Sequence, residues 1–186
     1  MQSPLGKDNE RKKDNYHYFY KGKRINFKVL DINLPNGRVF KKEIVEHPGA
    51  VVILPLLDDK IIFLKQFRPA VNRWVYELPA GTLDKQGESL EKCALRELEE
   101  ETGYVAEDAK EMFRMYSSPG FSTEIIYSFF VEKLIKGNAA PEETEIIQII
   151  ELSFDDALEL IKKDSIVDAK TIASLLYYDK YIRKKS

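Results

Sequence analysis

The sequence predicts an α+β domain preceded by an antiparallel β hairpin. Three observations carry this expectation. Runs of β-type residues lie on both sides of a single amphipathic helical segment, an Asn36-Gly37 turn joins two alternating runs near the start, and two helical patterns close the chain.

Taken in order, Arg24 to Ile32 alternates apolar and polar residues, and Asn36-Gly37 turns the chain into Val39 to Val45. An isolated hairpin is marginal in water, so Phe27, Val29, Val39 and Ile44 need a surface to pack on, in their own domain or in a second subunit. Strands follow at Ala50 to Leu57 and Lys60 to Phe67, joined by a tight Asp58-Asp59 turn. The central helix starts at Ser89, whose hydroxyl suits an N-cap, and stops at Gly103, which takes a left-handed conformation without steric cost. Leu90, Ala94, Leu95 and Leu98 form its buried stripe, which turns its acidic face away from the core. Lys110 to Tyr116 and Ile125 to Leu134 are rich in aromatic and aliphatic residues and predict strands, as does Ile146 to Ile150. Of the last two helices, one begins with Ser153 and Asp156 in capping-box spacing and the other runs from about Asp168 to Tyr181.

At 186 residues and 44% hydrophobic content the chain can bury one substantial core, and no transmembrane span, signal peptide or repeat is evident. The lone Cys93 forbids an intrachain disulfide and suits a small core residue better than a nucleophile; a reducing cytoplasm is the expected compartment. A net charge of -2 announces no broad basic surface, so neither nucleic acid nor membrane is an expected partner. Arg11 to Lys13 and Arg183-Lys184-Lys185 are short basic stretches expected to stay solvated.

The densest chemistry lies in Arg96-Glu97-Leu98-Glu99-Glu100-Glu101-Thr102-Gly103. Glu97, Glu100 and Glu101 are spaced i,i+3 and i,i+4, so on a helix their carboxylates share a face and repel by a few tenths of a kcal/mol per pair, roughly, unless a cation lies between them. Hard oxygen donors without cysteine or histidine favour Mg2+, with Mn2+ as a substitute. Arg96 stands four residues before Glu100 and eight after Glu88, so it can bridge carboxylates and hold them in place.

From Gly81 to Tyr104 the segment resembles the Nudix box: Gly81, Glu88, Arg96, Glu97, Glu100, Glu101 and Gly103 fall in the matching places. Seven fixed residue types in this arrangement coincide by chance at on the order of 10^-6 in a chain of this length. Two departures stand out. Six residues rather than five separate Gly81 from Glu88, in the polar loop Leu83 to Gly87, and Tyr104 takes the last aliphatic place.

The resemblance implies an α/β/α sandwich, the Nudix fold, and hydrolysis of a nucleoside diphosphate linked to another moiety. It further implies that Glu97, Glu100, Glu101 and the backbone carbonyl of Ala80 hold Mg2+, while Gly81, Glu88, Arg96 and Gly103 frame the box. Ser117-Ser118-Pro119-Gly120-Phe121 and the run Gln66-Phe67-Arg68-Pro69 before Trp74 to Gly81 are similar to the ADP-ribose pyrophosphatase branch. In that branch Arg68 pairs with phosphate, Glu77 holds ribose hydroxyls or a metal, and Pro119, Gly120 and Phe121 line the substrate. The general base is expected on the acidic loop ahead of Ile146, at Glu143 and then Glu145, with Glu100 as the box's own catalytic carboxylate. Cleavage of ADP-ribose to AMP and ribose 5-phosphate is the expected reaction. Other nucleoside diphosphate sugars, such as GDP-mannose or UDP-glucose, and a non-catalytic Nudix-fold binding module are the alternatives.

The same branch implies a homodimer built on the N-terminal sheet. The expected organisation is an arm over 1–22, a dimerisation hairpin over 23–47 and the Nudix hydrolase domain over 48–186. Tyr16, Tyr18, Phe19 and Tyr20 are candidates to stack on adenine and equally good interface fillers.

Overall fold

A computed structural model describes residues 15–139 and 146–183. The chain divides into two compact units, one ending at His47 and including Ser118–Thr123, the other made of Pro48–Ser117 and the chain from Glu124 onward.

The first unit is a three-stranded antiparallel sheet in the order β1-β2-β3, with β1 at Asn15–Lys21, β2 at Asn26–Asn33 and β3 at Val39–Glu46. The turn between β2 and β3 lies at Asn36-Gly37 as expected: Gly37 has φ 79°, Gly37 N–H donates to the Leu34 carbonyl at 2.9 Å and Asn36 Oδ1 accepts from Arg38 N–H at 3.1 Å. β1 occupies part of the stretch expected as an arm. Its register slips between Tyr18 and Tyr20, a bulge that breaks strict alternation. Behind the sheet's order stands Glu46, which accepts from Lys28 Nζ at 2.5 Å, Asn26 Nδ2 at 3.0 Å and the Tyr18 hydroxyl at 2.9 Å. Those bonds, Lys28 first, hold the Glu46 carboxyl down at a pKa of about 2. The loop Ser118–Thr123 joins β3 through Val45 N–H to the Phe121 carbonyl at 2.8 Å and Thr123 N–H to the Val45 carbonyl at 3.0 Å. Val39, expected to be packed, is exposed, as are Tyr16, Phe19, Tyr20 and Phe40.

The second unit is built on a seven-stranded mixed sheet. β4 (Ala50–Leu57), β5 (Lys60–Arg68), β9 (Lys110–Tyr116), β10 (Ile125–Val131) and β12 (Ile147–Ser153) run in the order β12-β5-β4-β10-β9; β6 (Arg73–Glu77) pairs with β5 and β7 (Ala80–Thr82) with β4. β4 and β10 are parallel, and the other pairs are antiparallel. A minor ladder joins β8 (Tyr104–Val105) to β11 (Ile135–Lys136).

Strand β4 shows how the layers arise. Successive side chains of a strand point to opposite faces, and every residue from Val51 to Leu54 is fully buried. Val51 and Ile53 pack with Cys93, Ala94 and Leu98 of helix α1 (Leu90–Thr102), whereas Val52 and Leu54 pack with Phe154, Ala157, Leu175 and Tyr178 of α2 (Phe154–Lys162) and α3 (Ala169–Tyr181). A sheet covered by helices on both faces is the α/β/α sandwich expected, and a strand buried on both faces reads as a continuous apolar run.

The caps also follow the sequence. Ser89 Oγ accepts from Lys92 N–H, Gly103 has φ 71°, and Ser153 and Asp168 cap α2 and α3. Arg183 departs from expectation. Rather than staying solvated it pairs with Asp155 at 2.9 Å and Asp179 at 3.4 Å and lies 4.4 Å from the centre of the Phe154 ring, because the end of α3 brings its guanidinium over the start of α2. Arg11 to Lys13 and Lys184-Lys185 lie outside the described residues.

Candidate active site

The box is laid out by α1 and β7. The α1 face bearing Leu98, Ala94 and Cys93 packs on the sheet, and the same rotation sets Glu97 and Glu101 against β7. A Cβ placed on Gly81 would stand 1.9 Å from the Glu97 carboxyl carbon, so only glycine leaves room for that side chain. Glu101 is 4% exposed, and its Oε2 accepts from the Ala80 N–H at 2.9 Å. The acidic face is therefore not turned wholly to solvent, as its spacing had suggested: Glu101 lies where helix meets sheet, and its backbone hydrogen bond meets the cost of burial.

Arg96 ties the remaining carboxylates together. Its Nε and Nη2 donate to both oxygens of Glu88 at 2.9 Å, and its Nη1 donates to Glu97 Oε1 at 2.6 Å and Glu100 Oε2 at 2.8 Å. The extra residue between Gly81 and Glu88 is absorbed in the loop, where Gly87 has φ 80°. The Arg96 bonds hold Glu88 below the usual carboxylate range, and the Glu88 bonds hold the Arg96 guanidinium more firmly protonated than usual. Burial pushes the Cys93 thiol up to about 12, which leaves it protonated at neutral pH and fits a core role.

A second cluster lies on β5 and β6. Arg68 Nε and Nη2 donate to the two oxygens of Glu77 at 2.6 and 2.7 Å, and Lys170 Nζ on α3 donates to Glu77 Oε2 at 2.6 Å. Glu77 is 2% exposed; burial raises its pKa, but Arg68 and Lys170 outweigh that and leave it below the ordinary range. Lys170 also pairs with Asp168 Oδ1 at 3.0 Å. Asp168 Oδ2 accepts from the Thr171 hydroxyl at 2.6 Å, and Thr171 Oγ1 accepts from Leu78 N–H at 2.9 Å. Neither Lys170 nor Thr171 was expected at the site. Both lie more than 90 residues from their partners on Glu77 and Leu78, and no local pattern announces such a contact.

The structure thus brings together Glu88, Arg96, Glu97 and Glu100, sets Glu101 on Ala80, and joins Arg68 to Glu77. Pro119, Gly120 and Phe121 belong to the other unit, in the loop bonded to β3, where the Phe121 side chain is exposed. Glu143 and Glu145 lie outside the described residues. As to a divalent cation, the donor set of Glu97, Glu100, Glu101 and the Ala80 carbonyl fits by chemistry, being all oxygen and mostly anionic. In this structure Glu97 and Glu100 turn to Arg96, and among the described residues no three acidic, histidine or cysteine side chains are gathered as a cation cage.

A two-sided α/β sandwich with a glutamate-rich helix packed on a glycine strand defines the class, and residues 46–175 match the NUDIX domain. The chain belongs to the Nudix hydrolase family, in its ADP-ribose pyrophosphatase-like branch, and is a Nudix pyrophosphohydrolase. It is 44% identical over 161 residues to the ADP-ribose pyrophosphatase of Bacillus subtilis (strain 168), covering 85% of this chain and 86% of that one. It is 40% identical over 176 residues to the methanol dehydrogenase activator of Bacillus methanolicus, covering 93% and 95% respectively. A crystal structure of an ADP compounds hydrolase superposes with a TM-score of 0.80 at 20% identity, over 90% of this chain and 91% of that one, and shares the fold.

Proposed function

We propose that the chain hydrolyses the pyrophosphate bond of ADP-ribose to AMP and ribose 5-phosphate in the presence of Mg2+. The observation that carries this reading is the gathering of Glu88, Glu97 and Glu100 by Arg96 beside Gly81, with Glu101 on the neighbouring Ala80 N–H, in a chain 44% identical to an ADP-ribose pyrophosphatase. Glu97, Glu100, Glu101 and the Ala80 carbonyl would hold the cation. When bound there, such a cation would supply positive charge to the phosphates and would acidify a water for hydrolysis. Arg96 keeps the helix carboxylates from repelling one another before the cation arrives.

Arg68 offers a forked guanidinium to a substrate phosphate, and Glu77 fixes the direction of that fork through its bidentate pair. Pro119, Gly120 and Phe121 are proposed as further substrate-binding residues. Glu143, then Glu145, is proposed as general base, with Glu100 as the alternative within the box. A Glu143→Gln or Glu145→Gln variant that binds metal and keeps normal turnover removes that residue from the mechanism.

Incubation with Mg2+ and ADP-ribose, GDP-mannose or UDP-glucose, followed by chromatography for nucleoside monophosphate, tests the assignment. AMP from ADP-ribose at the highest kcat/KM is the expected result; preference for another sugar nucleotide moves the substrate, and no product from any of them ends the reading. A second reading is supported by the relative named as an activator: the chain also stimulates a dehydrogenase, which a methanol dehydrogenase assay with and without it would reveal. The protein is further proposed to be a cytoplasmic homodimer joined through the N-terminal sheet, whose exposed Phe19, Tyr20, Val39 and Phe40 invite burial. A monomer in sedimentation at micromolar concentration would remove the dimer.

A further inference from the structure

Glu77 carries a full charge at 2% exposure, and two cations of different character share it. The Arg68 side chain is 40% exposed and forked; the Lys170 side chain is 13% exposed and also pinned by Asp168. A buried carboxylate that loses its only counter-ion is strongly disfavoured, so one partner has to stay if the other is to leave. The accessible guanidinium is the partner suited to grip a phosphate bidentately, whereas the enclosed ammonium, anchored at the first turn of α3, is suited to remain.

We propose that Lys170 is a positioning residue for substrate binding: it keeps the Glu77 carboxylate paired while Arg68 turns part of its hydrogen bonding from Glu77 to a phosphate of the substrate. This rests on the reading of Arg68 as the phosphate-binding arginine. Without Lys170, Arg68 becomes, among the described residues, the sole counter-ion of a buried anion and is held back from the ligand. Lys170 touches no reacting atom in this scheme, so its loss weakens binding and leaves the chemical step nearly unchanged.

Lys170→Met, Glu77→Gln and the double variant test this, with thermal unfolding recorded for each. Steady-state turnover of ADP-ribose with Mg2+ gives KM and kcat, and calorimetric titration of ADP-ribose without divalent metal gives affinity independently of turnover. Lys170→Met is expected to raise KM and the calorimetric Kd by about 10-fold while kcat stays within about 3-fold of wild type. In the Glu77→Gln background the Lys170→Met change is expected to move Kd by less than about 2-fold, because no buried charge remains to be shared. An unchanged Kd in Lys170→Met, a fall in kcat at constant KM, or an equal loss of affinity with and without Glu77 overturns the proposal. Should Lys170→Met fail to fold, Lys170→Gln, which keeps a donor for Glu77 but not the charge, takes its place with the same expected rise in Kd and the same comparison in the Glu77→Gln background. A wild-type chain that binds ADP-ribose without cleaving it ends the hydrolytic reading yet leaves the affinity comparison intact; one that neither binds nor cleaves it ends both.

Discussion

Gly81 and the carboxyl group of Glu97 occupy neighbouring space so closely that a methyl group on one would overlap the other, at 1.9 Å. The obstructed atom is the end of a flexible side chain, so the clash is relieved by moving Glu97, without disturbing the sheet. Gly81→Ala is accordingly expected to fold with a Tm close to wild type and to lose about 100-fold in kcat/KM, the scale of a misplaced site group. Full activity in this variant would show that Glu97 need not stand where it does.

Arg96 is the sole link among Glu88, Glu97 and Glu100 in the hydrogen bonds described above, and its side chain is 19% exposed. Arg96→Ala leaves three partly buried carboxylates without it and is expected to cost about 3 kcal/mol in chemical denaturation without metal. Millimolar Mg2+ should recover part of that loss by supplying charge to the same oxygens, so the variant should gain more Tm from Mg2+ than wild type does. Equal gains would mean that the cation does not engage this cluster.

Glu46 supplies a pH dependence whose sign is fixed. Its folded pKa of about 2 lies below the ordinary 4.5, so the unfolded chain takes up this proton first as acid is added. The stabilisation is present above pH 4.5 and is lost progressively as pH falls toward 2. Glu46→Gln is thus expected to be less stable than wild type at pH 7, with the gap closing across that window. A gap that persists at pH 2 assigns the effect to packing.

Thr171 offers a test of the tie between α3 and the site. Thr171→Val removes the acceptor for Leu78 N–H at nearly constant volume, leaving a buried donor unmet at a cost of about 1–3 kcal/mol. Because Leu78 lies between Glu77 and the Ala80 strand, kcat/KM should also fall; stability lost with activity intact would separate the tie from the chemistry.

What could be foreseen from the chain follows the range of the interactions involved. Ser89 and Gly103 bounded α1, and Ala50 to Leu57 and Lys110 to Tyr116 were placed to the residue, because caps and apolar runs are local signals. β1 went unseen since Tyr16, Tyr18, Phe19 and Tyr20 do not alternate, which the bulge between Tyr18 and Tyr20 explains. β7 is too short, at three residues, to leave a period, and the parallel pairing of β4 with β10 depends on contacts that no window of sequence contains. Within the site, the grip of Arg96 on Glu88 and Glu100 was legible from their spacing. Lys170 was not, because what marks it is the buried charge of a residue on a distant strand.

The anchoring of Glu77 and Leu78 by Lys170 and Thr171 also bears on when the protein becomes competent during synthesis. A nascent chain that has cleared the ribosome through β10 already owns every box glutamate, yet the wall that carries Arg68 and Glu77 still lacks its brace. That brace arrives only with α3, so a translational stall after β12 would yield a product that has the box helix but an Arg68–Glu77 pair without Lys170.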